Sequence, residues 1–259
     1  MENNPEIALA WQFIENTGTH LFLTGKAGTG KTTFLRRLKA ESPKRMIVLA
    51  PTGIAAINAG GVTIHSFFQV PFAPYVPESS FSADGKASYR FRYGKEKINI
   101  IRSIDLLVID EISMVRADLL DSVDAVLRRF RDRNKPFGGV QLLMIGDLQQ
   151  LAPVVKDDEW QMLRKYYDTP YFFSSQALKQ TEYCTIELKI WGIERSVFSM
   201  VGKNGQKVLK TKGFRHGREN GLNISKRFFS LHGLTSALRL RGFSSDIRGI
   251  ALHRACRWG

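Results

Sequence analysis

The chain has 259 residues with 43% hydrophobic and 24% charged side chains, enough apolar material to bury a sizeable core. No apolar run approaches the roughly 18–20 residues of a membrane helix, and Met1 to Glu6 lacks the basic flank and apolar stretch of a secretory signal. Cys184 and Cys256 are too few for a disulfide framework or an unaided zinc site, so the composition excludes a membrane protein and a disulfide scaffold and points to a reducing cytoplasm.

The net charge of +14 is unevenly spread. Residues 190–259 hold 14 Lys/Arg against 3 Asp/Glu, and they contain 10 of the 22 glycines and none of the 9 prolines. Residues 1–189 carry 24 basic and 21 acidic side chains, so the basicity belongs to the tail and the two parts need separate readings.

Asn4 caps a first helix with Pro5 at its first position, where a missing N–H costs nothing, and Thr17-Gly18 stops it. Leu21-Phe22-Leu23 reads as a short buried strand leading into a glycine-rich turn. Apolar runs of strand length recur at Met46–Ala50, Ile104–Ile109, Val140–Ile145 and Tyr171-Phe172-Phe173, with helical stretches at Lys31–Lys39 and Ala117–Phe130 between them. Continuous apolar strands alternating with helices predict an α/β domain over 1–189, a parallel sheet covered by helices on both faces. Residues 71–97 break the pattern with three prolines and an Asp84-Gly85 turn before Tyr89-Arg90-Phe91-Arg92-Tyr93. This predicts a small inserted hairpin; its aromatics either touch nucleic acid or pack on the domain.

Gly25-Lys26-Ala27-Gly28-Thr29-Gly30-Lys31-Thr32 fits G-x-x-x-x-G-K-[ST] at every fixed position, between a predicted strand and a predicted helix. Its backbone N–H groups, with those of Thr33 in the first helical turn, suit phosphates at a helix N-terminus. Lys31 would reach the β- and γ-phosphates of ATP, and Thr32 would ligate Mg²⁺. Leu106-Leu107-Val108-Ile109-Asp110-Glu111 adds two carboxylates at a strand end: Asp110 for Mg²⁺ and Glu111 as the general base that orients water. Gly146 to Pro153 follows another apolar strand and offers Gln150 as a polar amide able to sense the γ-phosphate; the alternative is a simple polar turn.

The order of these segments resembles superfamily-one DNA helicases of the Pif family, related to the RecD-like helicases, over about residues 5–189. The likeness also rests on Ala50-Pro51-Thr52-Gly53-Ile54-Ala55-Ala56, on Gly61-Val62-Thr63-Ile64-His65-Ser66-Phe67-Phe68 and on Asp110 to Val115. It implies a RecA-like motor domain, ATP hydrolysis with Mg²⁺, and 5′-to-3′ movement on single-stranded DNA and DNA junctions. It places Pro51, Thr52, Gly53, Thr63, His65, Ser66 and Phe68 along the DNA, makes Gln150 the residue coupling γ-phosphate to DNA, and makes the 71–97 insert a strand-separating wedge. Independently, Thr52, Thr63 and Ser66 are neutral donors suited to phosphates, and His65 and Phe68 suit stacking near bases; core packing is the alternative for Phe67 or Phe68.

The sequence departs from the family twice. The family usually has an adenine-reading glutamine ahead of the first strand; the nearby candidate, Gln12, falls inside the first helix and out of that pattern. After Glu187-Leu188-Lys189 the likeness stops, and the family's Tyr-Arg-Gln segment and second motor domain, with its arginines, are not recognisable. For the tail a disordered basic arm, a small added domain and a shifted reading frame compete; the lack of proline and the break inside a motif favour the last. A phosphate-loop ATPase that ignores nucleic acid and a noncatalytic basic DNA-binding protein remain the rival functions.

Overall fold

A computed structural model describes residues 4–76 and 93–189, with the backbone of 198–202 and 205–209. Helix α1 (Pro5–Asn16) opens the fold: the Asn4 side chain accepts hydrogen bonds from the backbone N–H groups of Glu6 and Ile7, as the sequence predicts. Strands β1 (His20–Thr24), β2 (Met46–Ala50), β3 (Val62–Thr63), β4 (Leu106–Ile109), β5 (Gln141–Gly146) and β6 (Tyr183–Glu187) form a parallel sheet in the order β3-β2-β4-β5-β1-β6. Two antiparallel strands, β7 (Phe198–Gly202) and β8 (Gly205–Leu209), extend it beyond β6. The rest of the basic tail, and residues 77–92 of the predicted inserted hairpin, lie outside the described residues.

Strand alternation sorts the core into two layers. Phe22, Leu107, Ile109, Leu142 and Met144 face α5 (Lys95–Ser103), α6 (Ala117–Phe130) and the short α7 (Gln176–Lys179). Leu21, Leu23, Leu106, Val108, Leu143 and Ile145 face α1 and α2 (Lys31–Glu41). Both faces are covered, which is why these strands read as unbroken apolar runs.

Two elements differ from the sequence reading. Tyr171-Phe172-Phe173 is not a strand: Phe172–Ser174 is a single 3-10 turn, with Tyr171 bridged to Arg116. The sixth strand instead is Tyr183–Glu187, whose polar Thr185 and Glu187 interrupt the apolar run that would have marked it. The start of the short helix Gln176–Lys179, just after this turn, is anchored by Asp121 of α6, a buried carboxylate that accepts from Tyr167 Oη at 2.8 Å and from the N–H groups of Gln176 and Ala177, each at 3.0 Å. Tyr93, at the end of the predicted hairpin, packs edge-on against Phe130 and donates its hydroxyl to the Phe68 carbonyl.

His20 on β1 is 8% exposed, and its Nδ1 accepts the Leu142 N–H at 3.0 Å. Burial lowers its pKa from 6.5 to about 4. The unfolded chain therefore binds this proton more readily, so the contribution of neutral His20 is complete above about pH 6.5 and is lost as pH falls toward 4. The span corresponds to about 3 kcal/mol. In urea titrations across that window the wild-type stability falls with acid, and the His20→Asn variant shows a flatter slope; equal slopes would contradict this assignment.

Candidate nucleotide site and nucleic-acid interface

All six parallel strands end on one edge, so the loops after β1, β2, β3, β4 and β5 share it. The loop after β1 holds the phosphate-loop motif. Gly30 sits at φ +96° immediately before α2, a left-handed conformation open to glycine, and it turns the chain from loop to helix. Gly25, at φ +151°, answers to space as well: a Cβ there would lie 2.5 Å from the Leu188 carbonyl oxygen and 2.8 Å from Thr29 Oγ1. Thr29 is buried and its hydroxyl donates to the Lys26 carbonyl at 2.9 Å, closing the loop on itself. Gly25→Ala must open this turn; we expect ATP affinity to fall at least about tenfold by calorimetry, in line with overpacking costs of roughly 1–3 kcal/mol.

Lys31 is half-buried and donates to the carbonyls of Gly25 and Lys26, the latter at 3.0 Å. Burial pulls its pKa down, offset in part by Asp147, Glu111 and Asp110. Three carboxylates from two strand ends thus act on one ammonium in the phosphate loop. Asp110, after β4, is pushed up chiefly by burial and accepts the Glu111 N–H at 3.0 Å. Glu111 is half-buried and adopts φ +52°, ψ +43°, a left-handed conformation that is strained for a residue with a Cβ. The next turn, Ile112–Met114, lies against Gly146 so closely that a Cβ on that glycine would come within 2.9 Å of Ile112 Cγ2.

Asp147 was not singled out by the sequence reasoning, although it follows an apolar strand as Asp110 does. It is buried, accepts the Gln149 N–H at 2.9 Å, and accepts Gln150 Nε2 at 3.2 Å. The exposed Gln150 is thereby tied to the carboxylate that heads the electrostatic support of Lys31. Thr32 and Thr33 are exposed on the first turn of α2, beside the loop that carries Ala27 and Gly28. Among the described residues no group of three or more His, Cys, Asp or Glu side chains is placed to hold a metal ion. The donors present, one hydroxyl and one partly buried carboxylate in need of a cation, suit Mg²⁺, which binds one or two protein oxygens together with substrate phosphates.

The second group of predicted residues lies toward the β2–β3 side. Thr52 caps α3 (Gly53–Ala59), accepting the Ala55 N–H at 3.2 Å, and Thr63 caps α4 (Ile64–Phe68), accepting the Ser66 N–H at 3.2 Å. Each hydroxyl keeps its O–H to donate. Pro51 and His65 are half-buried, and Gly53 and Ser66 are exposed. Phe68 corrects the sequence reading: it is fully buried in the core with Ile64 and Phe67. Helical spacing explains it, because residues 64, 67 and 68 share the inward face of α4 while His65 and Ser66 turn outward. The Phe68 ring is thus placed in the core and not on the surface, the packing alternative given for it. Pro51, Thr52 and His65 do come together, lining one cleft of about 230 Å³ with Phe72, Met114 and Arg116. Gly53, Thr63 and Ser66 lie outside that lining. Gln12 is exposed on α1.

Sheet, phosphate loop and paired strand-end acids define the class: a RecA-like phosphate-loop NTPase domain. Residues 7–179 match the family model described as PIF1-like helicase, and the chain belongs to that family. It is 39% identical over 182 residues to the human ATP-dependent DNA helicase PIF1, covering 67% of this chain and 25% of that protein. Against the Saccharomyces cerevisiae ATP-dependent DNA helicase PIF1 the identity is 36%, covering 68% and 19%. Among solved structures it resembles Bacteroides Pif1 bound to single-stranded DNA, with 45% identity, a TM-score of 0.66 and coverage of 72% of this chain and 42% of that one. It also resembles a Bacteroides Pif1 complex with ADP-AlF3 and single-stranded DNA, with 44% identity, a TM-score of 0.68 and coverage of 73% and 42%. The chain thus spans a quarter or less of these two curated relatives and under half of these solved ones.

Proposed function

We propose that this chain is the first motor domain of an ATP-dependent DNA helicase, binding ATP–Mg²⁺ and single-stranded DNA along one edge of the sheet. The observation that carries the reading is the complete phosphate loop, with Lys31 held at its own loop carbonyls and the strand ends that carry Asp110, Glu111 and Asp147 at the same edge of the sheet. Lys31 turns from its own loop carbonyls to the β- and γ-phosphates, and the N–H groups from Ala27 to Thr33 hold the chain of phosphates. Thr32 and Asp110 would hold Mg²⁺, which supplies charge neutralisation at the transferred phosphate. Glu111 accepts the proton of the attacking water and orients it. Gln150, fixed through Asp147, senses whether the γ-phosphate is present.

The relatives' pairing with single-stranded and forked DNA supports the same partners here, reached through the loops after β2 and β3. Movement is 5′-to-3′ by family likeness. The arginines that the likeness assigns to a second motor domain are not recognisable in residues 190–259. We predict slow ATP hydrolysis and no strand separation for a chain without those arginines. The test is the ATPase rate with and without oligothymidylate. Stimulation by the single strand is expected; an unchanged rate with normal ATP binding would favour an ATPase that ignores nucleic acid. Strand separation by the purified chain would contradict the prediction of no unwinding.

A further inference from the structure

We propose that the cleft between His65, Phe72 and Arg116 receives one unstacked base of the bound strand, so that this surface engages bases as well as phosphates. The inference rests on the proposed binding of single-stranded DNA. Three features of the cleft favour a base over a phosphate.

The first is charge. Arg116 is the one cation among the described lining residues, and it is committed. Its Nε and one terminal nitrogen donate to Asp118 at 2.9 and 2.8 Å, and the other terminal nitrogen donates to Glu159 at 2.9 Å. Asp118 also accepts the Tyr75 N–H at 2.9 Å. Two carboxylates around one guanidinium leave no net positive charge for a phosphate, and a further anion would meet repulsion. A neutral heterocycle meets none.

The second is the aromatic wall. The rings of His65 and Phe72 stack at 4.4 Å between centroids and 20° between planes. Phe72 is nevertheless 81% exposed. An apolar ring held in place by one face with the rest in water is a platform of the kind on which bases stack. Burial and the nearby Arg116 lower the His65 pKa, keeping the imidazole neutral as a stacking partner near pH 7.

The third is size and lining. About 230 Å³ accommodates a single planar ring system and falls below the roughly 300–1,000 Å³ of pockets that take drug-sized ligands. Val70, Met114, Leu119 and Val154 supply apolar walls. Thr52, whose oxygen already accepts the Ala55 N–H, retains its O–H for a base carbonyl.

The experiment walks one abasic residue through a short oligothymidylate and measures the affinity of the full 259-residue chain by fluorescence anisotropy at fixed salt. An abasic residue keeps every phosphate, so nonspecific binding by the basic tail is unchanged. At one position the loss of the base weakens binding roughly 5-fold to 150-fold. Phe72→Ala removes that penalty, and Phe72→Trp restores it; the exposure of Phe72 leaves the core untouched by either change. A penalty equal at every position, or one undiminished in Phe72→Ala, would overturn the base cleft while leaving single-strand binding intact. Failure of the wild-type chain to bind the intact oligonucleotide would overturn both.

Discussion

Replacing Lys31 with alanine lowers ATP affinity and turnover together, by about 10²–10³-fold in kcat/KM. The ammonium is held in the phosphate loop by the carbonyls of Gly25 and Lys26 and supported electrostatically by Asp147, Glu111 and Asp110. Removing it leaves the charge of those three carboxylates uncompensated, so repulsion of a polyanion adds to the lost attraction. Because Lys31 is half-buried and its depressed pKa shows that burial opposes its charge, the variant should fold at least as stably as the wild type. Thermal unfolding with and without ATP–Mg²⁺ separates the two effects. The wild type gains stability with nucleotide and Lys31→Ala does not. An unchanged nucleotide shift in the variant would mean that the phosphates bind elsewhere.

Glu111→Gln produces the opposite division. The amide keeps the shape and the hydrogen-bonding reach of the side chain but cannot take a proton from water, so turnover falls by about 10²–10⁴-fold while ATP binding stays within about threefold of wild type. The left-handed backbone of Glu111 supports this role. It is held against its intrinsic preference by the turn at 112–114, which is seated on Gly146. Strain of this kind, of order 1–3 kcal/mol, is kept where it aims a side chain. Single-turnover hydrolysis measures the loss directly. Retained turnover would remove Glu111 from the chemistry and point to Asp147, the remaining carboxylate acting on Lys31 once Asp110 is assigned to Mg²⁺.

The proposed nucleotide site is more legible in the sequence than the proposed DNA surface, for a physical reason. Phosphate binding needs fixed spacing within a single loop, so Gly25 to Thr32 is a local pattern, and Asp110 and Glu111 mark the end of a buried strand. Asp147 follows the same strand-then-acid logic, but its contribution depends on β5 lying beside β1, which is a matter of topology. The residues proposed to meet DNA depend on which way a short helix turns. Phe68 reads as an aromatic near a base, but one turn of α4 places it under the domain and leaves His65 on the surface. Phe72 and Arg116 could not be found by pattern, because the cleft joins segments 44 residues apart in the chain. Of the elements, α6 was fully legible from its apolar spacing, whereas β6 was hidden by alternating polar residues and Tyr171–Phe173 looked more like a strand than it is.

On the proposed function, nucleotide and single strand are read by one coupled edge of the sheet. The most direct measurement is the dissociation constant for oligothymidylate, determined for the full chain with and without a saturating nonhydrolysable ATP analogue and Mg²⁺. Coupling through Asp147 and Gln150 predicts that the two constants differ by at least about fivefold, the lower end of ordinary allosteric coupling. It also predicts that Gln150→Ala brings them together. Equal constants in the wild type, with the analogue demonstrably bound, would contradict the account.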